Sequence, residues 1–435
     1  MLATDALIAG RNLFRHTHRS LLLGGALAGV TALLVLVASL TAGIEEAMLV
    51  SATTLMTGHV NVGGFFKITS GSAAPLVSDY PKVLEEVLPR VRDLDYVAVR
   101  TRGYAKAVSE LSSMDIVLSG VEVAKEPAFP RVVRPLEGKL EDLAQPNTIL
   151  LFQGQADRLK VKVGDVITLS APTSRGVSNT ADVRVAVVAR NVGILSAFSA
   201  FIEKGTLNQL YGINDTTTGA LQIYLKRPQG AAALARDLRA HLAQAGWRVM
   251  DPDPEPYWMK LMQRVPSEDW IGQKLDVSTA QDEMGQFTQF ISGVRLVSGI
   301  VVGVLLVVVL IGIFNTMAIA IRERTREIGT LRAIGMQRRK VLWLFVLETG
   351  LLGLAGATGG ALGGALLAGL LNLVGISVAE SMQFFLMQEK LHFLLQPGWI
   401  AWDVLLFTAV TVGAALPPAF RAARLRPVTA MHHIG

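Results

Sequence analysis

Residues Ile291–Ile321 read ISGVRLVSGIVVGVLLVVVLIGIFNTMAIAI and contain a single charged side chain, Arg295. An α-helix needs about 20 residues to cross about 30 Å of hydrocarbon, so this stretch is long enough to span a membrane. Three further stretches are similarly apolar, Leu21–Ile44, Val341–Ile376 and Trp399–Phe420. Val341–Ile376 is longer than one crossing needs, which predicts a tilted helix or one that leaves the bilayer. The sequence therefore predicts four transmembrane helices.

The overall composition agrees with a membrane protein. Hydrophobic residues make up 51% of the chain and charged residues only 17%, against about 25% charged residues in a typical soluble domain. The apolar run of Leu21–Ile44 is about twice as long as the core of a signal peptide, and no small-residue cleavage site follows it, so we expect an uncleaved anchor. The chain has no cysteine, which excludes disulfides, thiolate metal sites and a cysteine nucleophile.

The basic residues predict the orientation of the four helices. Three clusters flank the apolar stretches: Arg11, Arg15 and Arg19 before the first, seven Arg and Lys residues between Arg322 and Lys340, and Arg421, Arg424 and Arg426 after the fourth. Basic residues concentrate in cytoplasmic loops, so we expect both termini in the cytoplasm. Residues 45–288 contain 26 Lys+Arg and 28 Asp+Glu, a net charge of −2, so the chain charge of +6 gives no support for nucleic-acid binding.

These observations predict an α-helical membrane protein with four transmembrane helices and a large mixed α/β extracytoplasmic domain. The predicted segments are a cytoplasmic N-terminal segment (1–20), transmembrane helix 1 (21–44), the extracytoplasmic α/β domain with a stalk (45–288), transmembrane helix 2 (289–321), a cytoplasmic coupling helix (322–340), transmembrane helix 3 (341–376), a short extracytoplasmic loop (377–398), transmembrane helix 4 (399–420) and a cytoplasmic tail (421–435).

The pattern of apolar residues assigns elements within 45–288. Predicted strands are Asp115–Val123, Asn147–Phe152, Val166–Ser170 and Asp182–Ala189, and predicted loops are Gly63–Pro75, Thr173–Thr180 and Asp251–Pro256. A helix is expected over Pro81–Arg92 with Asp79 as its cap, and a strand–helix–strand unit over Leu221–Leu225, Gly230–Ala245 and Trp247–Met250. After Pro266 the chain is expected to run as an unbroken helix into the second span.

Enzyme motifs are absent from the sequence. The nearest approach to a nucleotide-binding P-loop, Gly138-Lys139, lacks the upstream glycine and the following Ser or Thr, and neither H-E-x-x-H nor G-x-S-x-G occurs. The histidine pairs at the chain ends are read as exposed residues near lipid headgroups, and the acidic pair Glu85-Glu86 as a solvated helix face. We therefore expect a non-catalytic chain that binds no cofactor or metal.

A second stretch, NTMAIAIRERTREIGTLRAIGM over Asn315–Met336, predicts a short cytoplasmic helix between two spans. Ile328, Leu331 and Gly335 recur at i, i+3 and i+7 and supply a narrow apolar ridge with one glycine for close approach to a partner, beside the charged Arg324 and Glu327. Such a ridge suits docking into the groove of a partner protein. The alternative is a polar connector that rests on anionic lipid.

This stretch resembles the permease domain of the MacB/FtsX/LolC–LolE family of ABC transporters. Leu347-Glu348 at the start of the third span resembles the family too, as does the closing PAFRAARLRPV over Pro418–Val428. Gly58–Val62, with the sequence GHVNV, is more similar to the lipoprotein-releasing LolC/LolE branch than to the MacB branch.

The resemblance implies a permease that forms a homo- or heterodimer in the bacterial inner membrane. It implies that a separate ATPase dimer, which carries ATP and Mg, binds the helix containing Arg324, Glu327, Ile328, Leu331 and Gly335. The implied activity is mechanical: a lipoprotein or other amphiphile is extracted or exported on the periplasmic side, with a periplasmic carrier or adaptor as a further partner. The alternatives are an FtsX-like transmitter that controls a cell-wall hydrolase and a MacB-like efflux permease for peptides or macrolides.

Polar and small residues inside the spans form the remaining candidate sites. Gly356, Gly360 and Gly364 recur every four residues, a period that lets helices approach closely. Glu348 lies inside the third span, where a carboxylate is costly and is expected to pair with a nearby Arg. Arg295 and Asp403 lie near the outer ends of their spans. They either form an ion pair or extend separately to the interface.

Because the chain has no native cysteine, single introduced cysteines test the topology directly. We expect cysteines at Ser112, Ser178 or Gln388 to react with an impermeant thiol reagent in intact spheroplasts. Cysteines at Thr330 or Thr429 should react only after lysis. Labelling of Thr330 from outside would contradict the predicted orientation.

Overall fold

The structure is a computed structural model that describes residues 11, 17–69, 72–173, 177–323, 325–379, 382–383 and 386–424. The chain divides into two compact units. The first, termed here the membrane unit, comprises residues 1–45, 291–377 and 390–435. The second, termed the α/β unit, comprises residues 46–290 and 378–389.

The described residues form helices α1 to α13 in chain order: Thr17–Ala52, Tyr80–Val87, Phe129–Val132, Gln153–Leu159, Lys204–Tyr211, Ala231–Gln244, Tyr257–Met259, Val265–Ser267, Ala280–Glu283, Gly285–Glu323, Thr325–Ala333, Arg338–Val374 and Pro397–Ala423. A π-helical turn, Thr53–Thr57, continues α1. Four helical segments of the described chain are long and apolar enough to cross a membrane: Leu21–Thr57, Ile291–Glu323, Arg338–Val374 and Pro397–Ala423. The predicted fold class is therefore confirmed.

The α/β unit contains strands β1 to β11: Val60–Thr69, Ser72–Ala74, Leu94–Val108, Ser113–Val121, Pro135–Gly138, Thr148–Phe152, Val166–Pro172, Ser178–Ala189, Ser199–Glu203, Ala220–Leu225 and Gly272–Thr279. Within the described residues they form one sheet in the order β11-β1-β10-β3-β4-β9-β6-β8-β5, while β2 pairs with β1, and β7 pairs with β3 and β8. The sheet is mixed, because the β4–β9 and β6–β8 pairs are parallel and the other strand pairs are antiparallel.

Strand β3 joins two lobes of the α/β unit. Its first half, from Leu94 to Arg100, pairs with β10, and its second half, from Thr101 to Val108, pairs with β4. Each half contributes to a separate apolar core. The first core packs β1, β10 and β11 against helices α2 and α6, and the second packs β4, β6, β7, β8 and β9 against α4 and α5. A single long strand therefore runs through both lobes.

Several sequence-based assignments in this unit are wrong. No unbroken helical stalk follows Pro266, because Gly272–Thr279 forms strand β11. This strand pairs with β1 from Val60 to Lys67. The predicted loop at Gly63-Gly64 lies inside β1, where a Cβ on Gly64 would lie 3.1 Å from two carbonyl oxygens. Glycine is needed there for close packing, so the Gly-Gly pair does not mark a turn.

Two smaller assignments also differ. Trp247–Met250 forms only an isolated bridge, between Val249 and Leu275. Asp79 does not cap α2, since its φ of 50° places it in the left-handed region and its side chain makes no capping hydrogen bond.

The sheet binds the carbonyl oxygens of the π-helical turn Thr53–Thr57 that continues α1. The last carbonyl oxygens of a helix lack partners within it, although here the Thr53 oxygen also accepts from the Gly58 N–H at 2.7 Å. Arg100 donates from Nη2 to the Thr54 oxygen at 2.8 Å and from Nη1 to the Leu55 oxygen at 2.9 Å. On β10, Gln222 Nε2 donates to the Met56 oxygen at 2.8 Å, and the hydroxyl of Tyr224 donates to the Thr53 oxygen at 2.9 Å. Burial raises the pKa of Tyr224 to about 12, so the hydroxyl keeps the proton that it donates.

Arg100 is fully buried, and its charge is balanced by Glu126, which is 2% exposed. The guanidinium donates from Nε to both carboxylate oxygens, at 3.2 and 3.1 Å, and from Nη2 to Oε2. Phe129 and Phe201 lie under the guanidinium, with their ring centroids 5.8 and 5.7 Å from Cζ. Because Arg100 lies where β3 passes from one lobe to the other, this group connects the end of α1 with both lobes.

The buried pair predicts a large stability difference between two glutamates four residues apart. Glu126→Gln leaves the Arg100 charge buried without a counter-ion and should destabilise the protein by about 3–5 kcal/mol. Glu122→Gln, which removes a partly exposed partner of Lys125 and Lys204, should cost about 1 kcal/mol or less. Thermal unfolding of the two purified variants measures the difference. Equal midpoints would contradict it.

Candidate functional site

Helix α11, Thr325–Ala333, lies between α10 and α12 at the position of the predicted coupling helix. Arg324 lies outside the described residues, and for Glu327, Ile328 and Leu331 the structure describes the backbone alone. All three belong to α11, so their spacing is helical as predicted. Whether their side chains form a docking ridge stays a prediction.

Gly335 ends the turn after α11. Its φ is +103°, and its N–H donates to the Arg332 oxygen at 3.1 Å. No atom lies within 4 Å of the position that a Cβ would occupy. The backbone conformation therefore accounts for a glycine at position 335, because residues with a side chain rarely adopt a positive φ of this size. No described residue of this chain approaches Gly335 closely, and its expected close approach to a partner protein stays a prediction.

Arg332 attaches α11 to the last membrane helix. Its Nη1 donates at 2.9 Å to the backbone oxygen of Ala423, the final residue of α13. A cation at the C-terminal end of a helix is favoured because it meets free carbonyl oxygens and the negative end of the helix dipole. A movement of α11 would therefore act on α13 as well as on the helices that flank it in sequence.

The glycines of α12 pack against α1 of the same chain. A Cβ on Gly356 would lie 3.0 Å from the Leu27 Cβ, one on Gly360 would lie 2.2 Å from the Ala28 oxygen, and one on Gly364 would lie 2.7 Å from the Ala32 oxygen. The sequence did not show which helix these glycines contact. Gly359 and Gly363 lie on another face, where no atom of the described residues lies within 4 Å of the position that a Cβ would occupy.

Arg295 pairs with Glu45 and not with Asp403, which corrects the ion pair considered from the sequence. The Arg295 Nε and Nη2 atoms lie 2.5 and 2.7 Å from the two carboxylate oxygens of Glu45. One turn along, Thr41 and Ser298 share a hydrogen bond of 2.8 Å. These contacts join α1 and α10. Arg295 lies on α10 and Glu45 on α1, and these positions are far apart in the chain. The sequence therefore did not show that they pair.

The two other charged candidate residues of the spans, Glu348 and Asp403, are half-buried. Glu348 lies in α12 next to the buried Thr349, and it takes part in a polar interaction. Its expected pairing with an arginine stays a prediction. Asp403 lies in α13, in the second turn of the helix that begins at Pro397.

The segment between α12 and α13, predicted as one short loop, divides between the two units. Residues 378–389 belong to the α/β unit, whereas the chain from Lys390 belongs to the membrane unit. There Asn372 accepts from the Phe393 N–H at 2.8 Å and donates to its oxygen at 2.9 Å. Leu394 donates to the Ser39 oxygen at 2.9 Å, and a Cβ on Gly43 would lie 1.8 Å from the His392 oxygen.

This extended segment therefore connects α12 with α1. Its packing explains Gly43, which no sequence pattern identified. Non-helical backbone at this depth requires protein partners for its polar groups, and Asn372 and the Ser39 carbonyl supply them.

Sequence reasoning also missed a buried polar network in the α/β unit, beside the start of α10. Arg102 donates from Nη2 to Asn61 Oδ1 at 3.0 Å and lies 4.3 Å above the Tyr257 ring. Glu283 accepts from the Ser278 hydroxyl at 2.6 Å and from the Tyr257 N–H at 3.1 Å. Burial raises the pKa of Glu283, an effect that the Arg102 charge opposes.

A buried ion pair extends this network. Lys260 Nζ contacts both carboxylate oxygens of Asp276, at 3.1 and 2.9 Å. One feature of the sequence could have indicated this buried ion pair. Asp276 is a charged residue between two apolar ones, Leu275 and Val277 of β11, which are buried. Among the described residues, no three His, Asp or Glu side chains are placed to hold a metal ion.

The contact between α12 and α1 predicts position-specific intolerance to one methyl group. Gly360→Ala places a Cβ against the Ala28 backbone and should lower the thermal midpoint of the purified protein, since packed backbones leave no room to adjust. Gly359→Ala, one residue away in open space, should leave the midpoint unchanged or raise it. Equal effects of the two substitutions would show that Gly360 is not a packing contact.

Residues 299–427 match the family described as FtsX-like permease C-terminal. Three curated relatives illustrate the similarity. An uncharacterised ABC transporter permease from Methanocaldococcus jannaschii is 34% identical over 34% of this chain and 34% of its own length. A macrolide export ATP-binding/permease protein MacB from Bordetella avium is 30% identical over 46% of this chain and 29% of its own length.

The third relative, a pyoverdine export ATP-binding/permease protein PvdT from Pseudomonas fluorescens, is 35% identical over 31% of this chain and 18% of its own length. The match therefore spans about a third or less of each relative. Preference for the LolC/LolE branch stays a prediction.

Two solved structures align with parts of the chain at low similarity. The periplasmic region of MacB from Actinobacillus actinomycetemcomitans covers 54% of this chain and 94% of its own, at 11% identity and a TM-score of 0.32. The extracellular domain of the ABC-type transporter YknZ covers 43% and 95%, at 11% identity and a TM-score of 0.29. Residues 299–427 match the FtsX-like permease C-terminal family, and parts of the chain are similar to ABC transporter permeases of the FtsX and MacB type.

Proposed function

We propose that the chain is the permease subunit of a mechanotransmissive ABC transporter. In this proposal a separate ATPase dimer hydrolyses ATP with Mg, and the permease uses the resulting movement to extract or export a lipoprotein or other amphiphile on the periplasmic side. The observation that carries it is α11, a short helix between two membrane helices within the FtsX-like region, attached to the end of α13 by Arg332.

Contacts within each unit support a mechanical route. In the membrane unit, α11 adjoins α12 in sequence, and α12 packs on the backbone of α1 at Gly360 and Gly364. In the α/β unit, the last carbonyl oxygens of the α1 segment are bound by Arg100 and its neighbours on β10. A displacement of α11 would thus reach a helix whose far end is hydrogen-bonded to the sheet.

The absence of a nucleotide-binding motif supports the proposal of a separate ATP-hydrolysing partner. These 435 residues contain no P-loop pattern, so we place ATP and Mg on a partner ATPase that binds α11. The proposal includes a second permease copy, homo- or heteromeric, in a bacterial inner membrane with both termini in the cytoplasm. A periplasmic carrier or adaptor would receive the substrate.

A second candidate function is the export of small molecules with an adaptor protein. It is favoured by the names of the relatives, which are described as macrolide and pyoverdine exporters. The two candidates share the ATPase partner and differ in the substrate, so mass spectrometry of material bound to the purified complex separates them.

The test charges the predicted ridge of α11. Burying an apolar side chain contributes about 1.5–3 kcal/mol, and a charge in its place would be desolvated without a partner. Ile328→Glu or Leu331→Glu should therefore leave the permease folded and inserted but abolish co-purification of the ATPase or uncouple its ATP hydrolysis from substrate release.

Thr330→Glu is the charge-matched control, because Thr330 is exposed and lies on the opposite side of the helix from Ile328. It should retain the ATPase and its coupling. If the ridge variants bind the ATPase and release substrate as the control does, α11 is a connector that rests on lipid and the proposed route is wrong.

A further inference from the structure

A small enclosed cavity of about 10 Å³ lies inside the α/β unit, within the buried polar network described above. That volume is about what a cavity needs to hold one water molecule, and cavities with polar walls hold water whereas truly empty ones are apolar. The polar part of the lining comes from β1, β3, β11, α7 and α9: Asn61, Arg102, Tyr257, Asp276, Ser278 and Glu283.

Gly63 of β1 leaves this space open. A Cβ on Gly63 would have the Gly219 oxygen as its nearest neighbour, at 3.7 Å, followed by Arg102 Nη1 at 3.9 Å. Gly219 and Arg102 also line the cavity, so a methyl group at position 63 would lie inside it. The neighbouring Gly64 differs, because a Cβ there would lie 3.1 Å from two carbonyl oxygens. The cavity therefore occupies the place of the side chain that position 63 lacks.

Asn61 brings an unpaired donor to the cavity. The residue is 1% exposed, and its Oδ1 accepts from Arg102 Nη2 at 3.0 Å. Its Nδ2 has no hydrogen-bond partner among the described residues. Turning the amide round does not help, because Nδ2 would then face the Arg102 donor. A buried donor without an acceptor is costly, so Asn61 requires an acceptor at this place.

Glu283 has acceptor capacity left over. The register of the sheet places Ser278 of β11 opposite Asn61 of β1, and the Ser278 hydroxyl donates to Glu283 Oε1 at 2.6 Å. The Tyr257 N–H donates to Oε2 at 3.1 Å. Each carboxylate oxygen can accept a second hydrogen bond. A molecule that accepts from Asn61 and donates to Glu283 would therefore satisfy both side chains.

We propose that this cavity binds one water molecule, which accepts from Asn61 Nδ2 and donates to the Glu283 carboxylate. An amide N–H cannot bind a metal cation, and the carboxylates of Asp276 and Glu283 disfavour an anion, so an uncharged molecule that both donates and accepts is the ligand that fits. The bound water joins β1 to α9, the short helix that immediately precedes α10.

One added methyl group tests the proposal by the sign of its effect. In a dry cavity Gly63→Ala makes no close contact and should stabilise β1, because alanine loses less backbone entropy than glycine on folding. In a hydrated cavity the methyl group displaces the water and leaves Asn61 Nδ2 unpaired. We therefore expect the amide protection factors of β1, measured by hydrogen exchange on the purified full chain, to fall about tenfold. Unchanged or higher protection would overturn the proposal.

Asn61→Ala supplies the matched background, because it removes the donor that needs the water. Adding Gly63→Ala to this variant should change the protection factors of β1 by about twofold or less. An equal loss of protection in both backgrounds would show that the methyl group acts by steric strain, and the water site would be wrong.

A density map of the full chain at a resolution that shows ordered water gives a direct readout. We expect one peak within hydrogen-bond distance of Asn61 Nδ2 and a Glu283 oxygen, and its loss in Gly63→Ala. A cavity without density, or a peak that contacts neither side chain, would contradict the assignment.

Discussion

The interaction on which the structure depends is the binding of the π-helical turn that continues α1 by the sheet. The last carbonyl oxygens of a helix lack partners within it, and here Arg100, Gln222 and Tyr224 supply donors for four successive ones, from Thr53 to Met56, of which the Thr53 oxygen also accepts from the Gly58 N–H. Arg100 does so at full burial, which is tolerable only because Glu126 balances its charge. Since β3 passes from one lobe to the other at Arg100, both lobes depend on the same group.

The membrane unit is held together by different means. In hydrocarbon an apolar side chain gains little by moving from lipid to protein, so helices associate through close packing and hydrogen bonds. Close packing is achieved at Gly356, Gly360 and Gly364, where the absence of side chains brings α12 onto the backbone of α1. Hydrogen bonds are made where α1 meets α10 through Glu45 and Arg295, and where Asn372 binds the segment at Phe393. Each contact joins elements that are distant in the chain.

Together these contacts make α1 the common element of the proposed mechanism. Within the membrane unit α1 contacts α12, α10 and the segment from His392 to Leu394, and within the α/β unit its continuation is bound by β3 and β10. The proposed input, at α11, adjoins α12, which packs on this helix. The buried Lys260–Asp276 pair and the contacts of Arg102 and Glu283 order the strand that leads into α10.

The sequence by itself determined the class of protein and the four spans, and it indicated the similarity to FtsX-like permeases, because these depend on long apolar runs and on one contiguous motif from Asn315 to Met336. It also located five of the eleven strands of the α/β unit, β4, β6, β7, β8 and β10, from short apolar or β-branched runs. Only the tertiary structure decided the rest. Gly360 meets Ala28, Arg295 meets Glu45, and β11 forms where a stalk was expected because β1 offers it a pairing partner. Such contacts join residues far apart in the chain, and no local pattern specifies a distant partner.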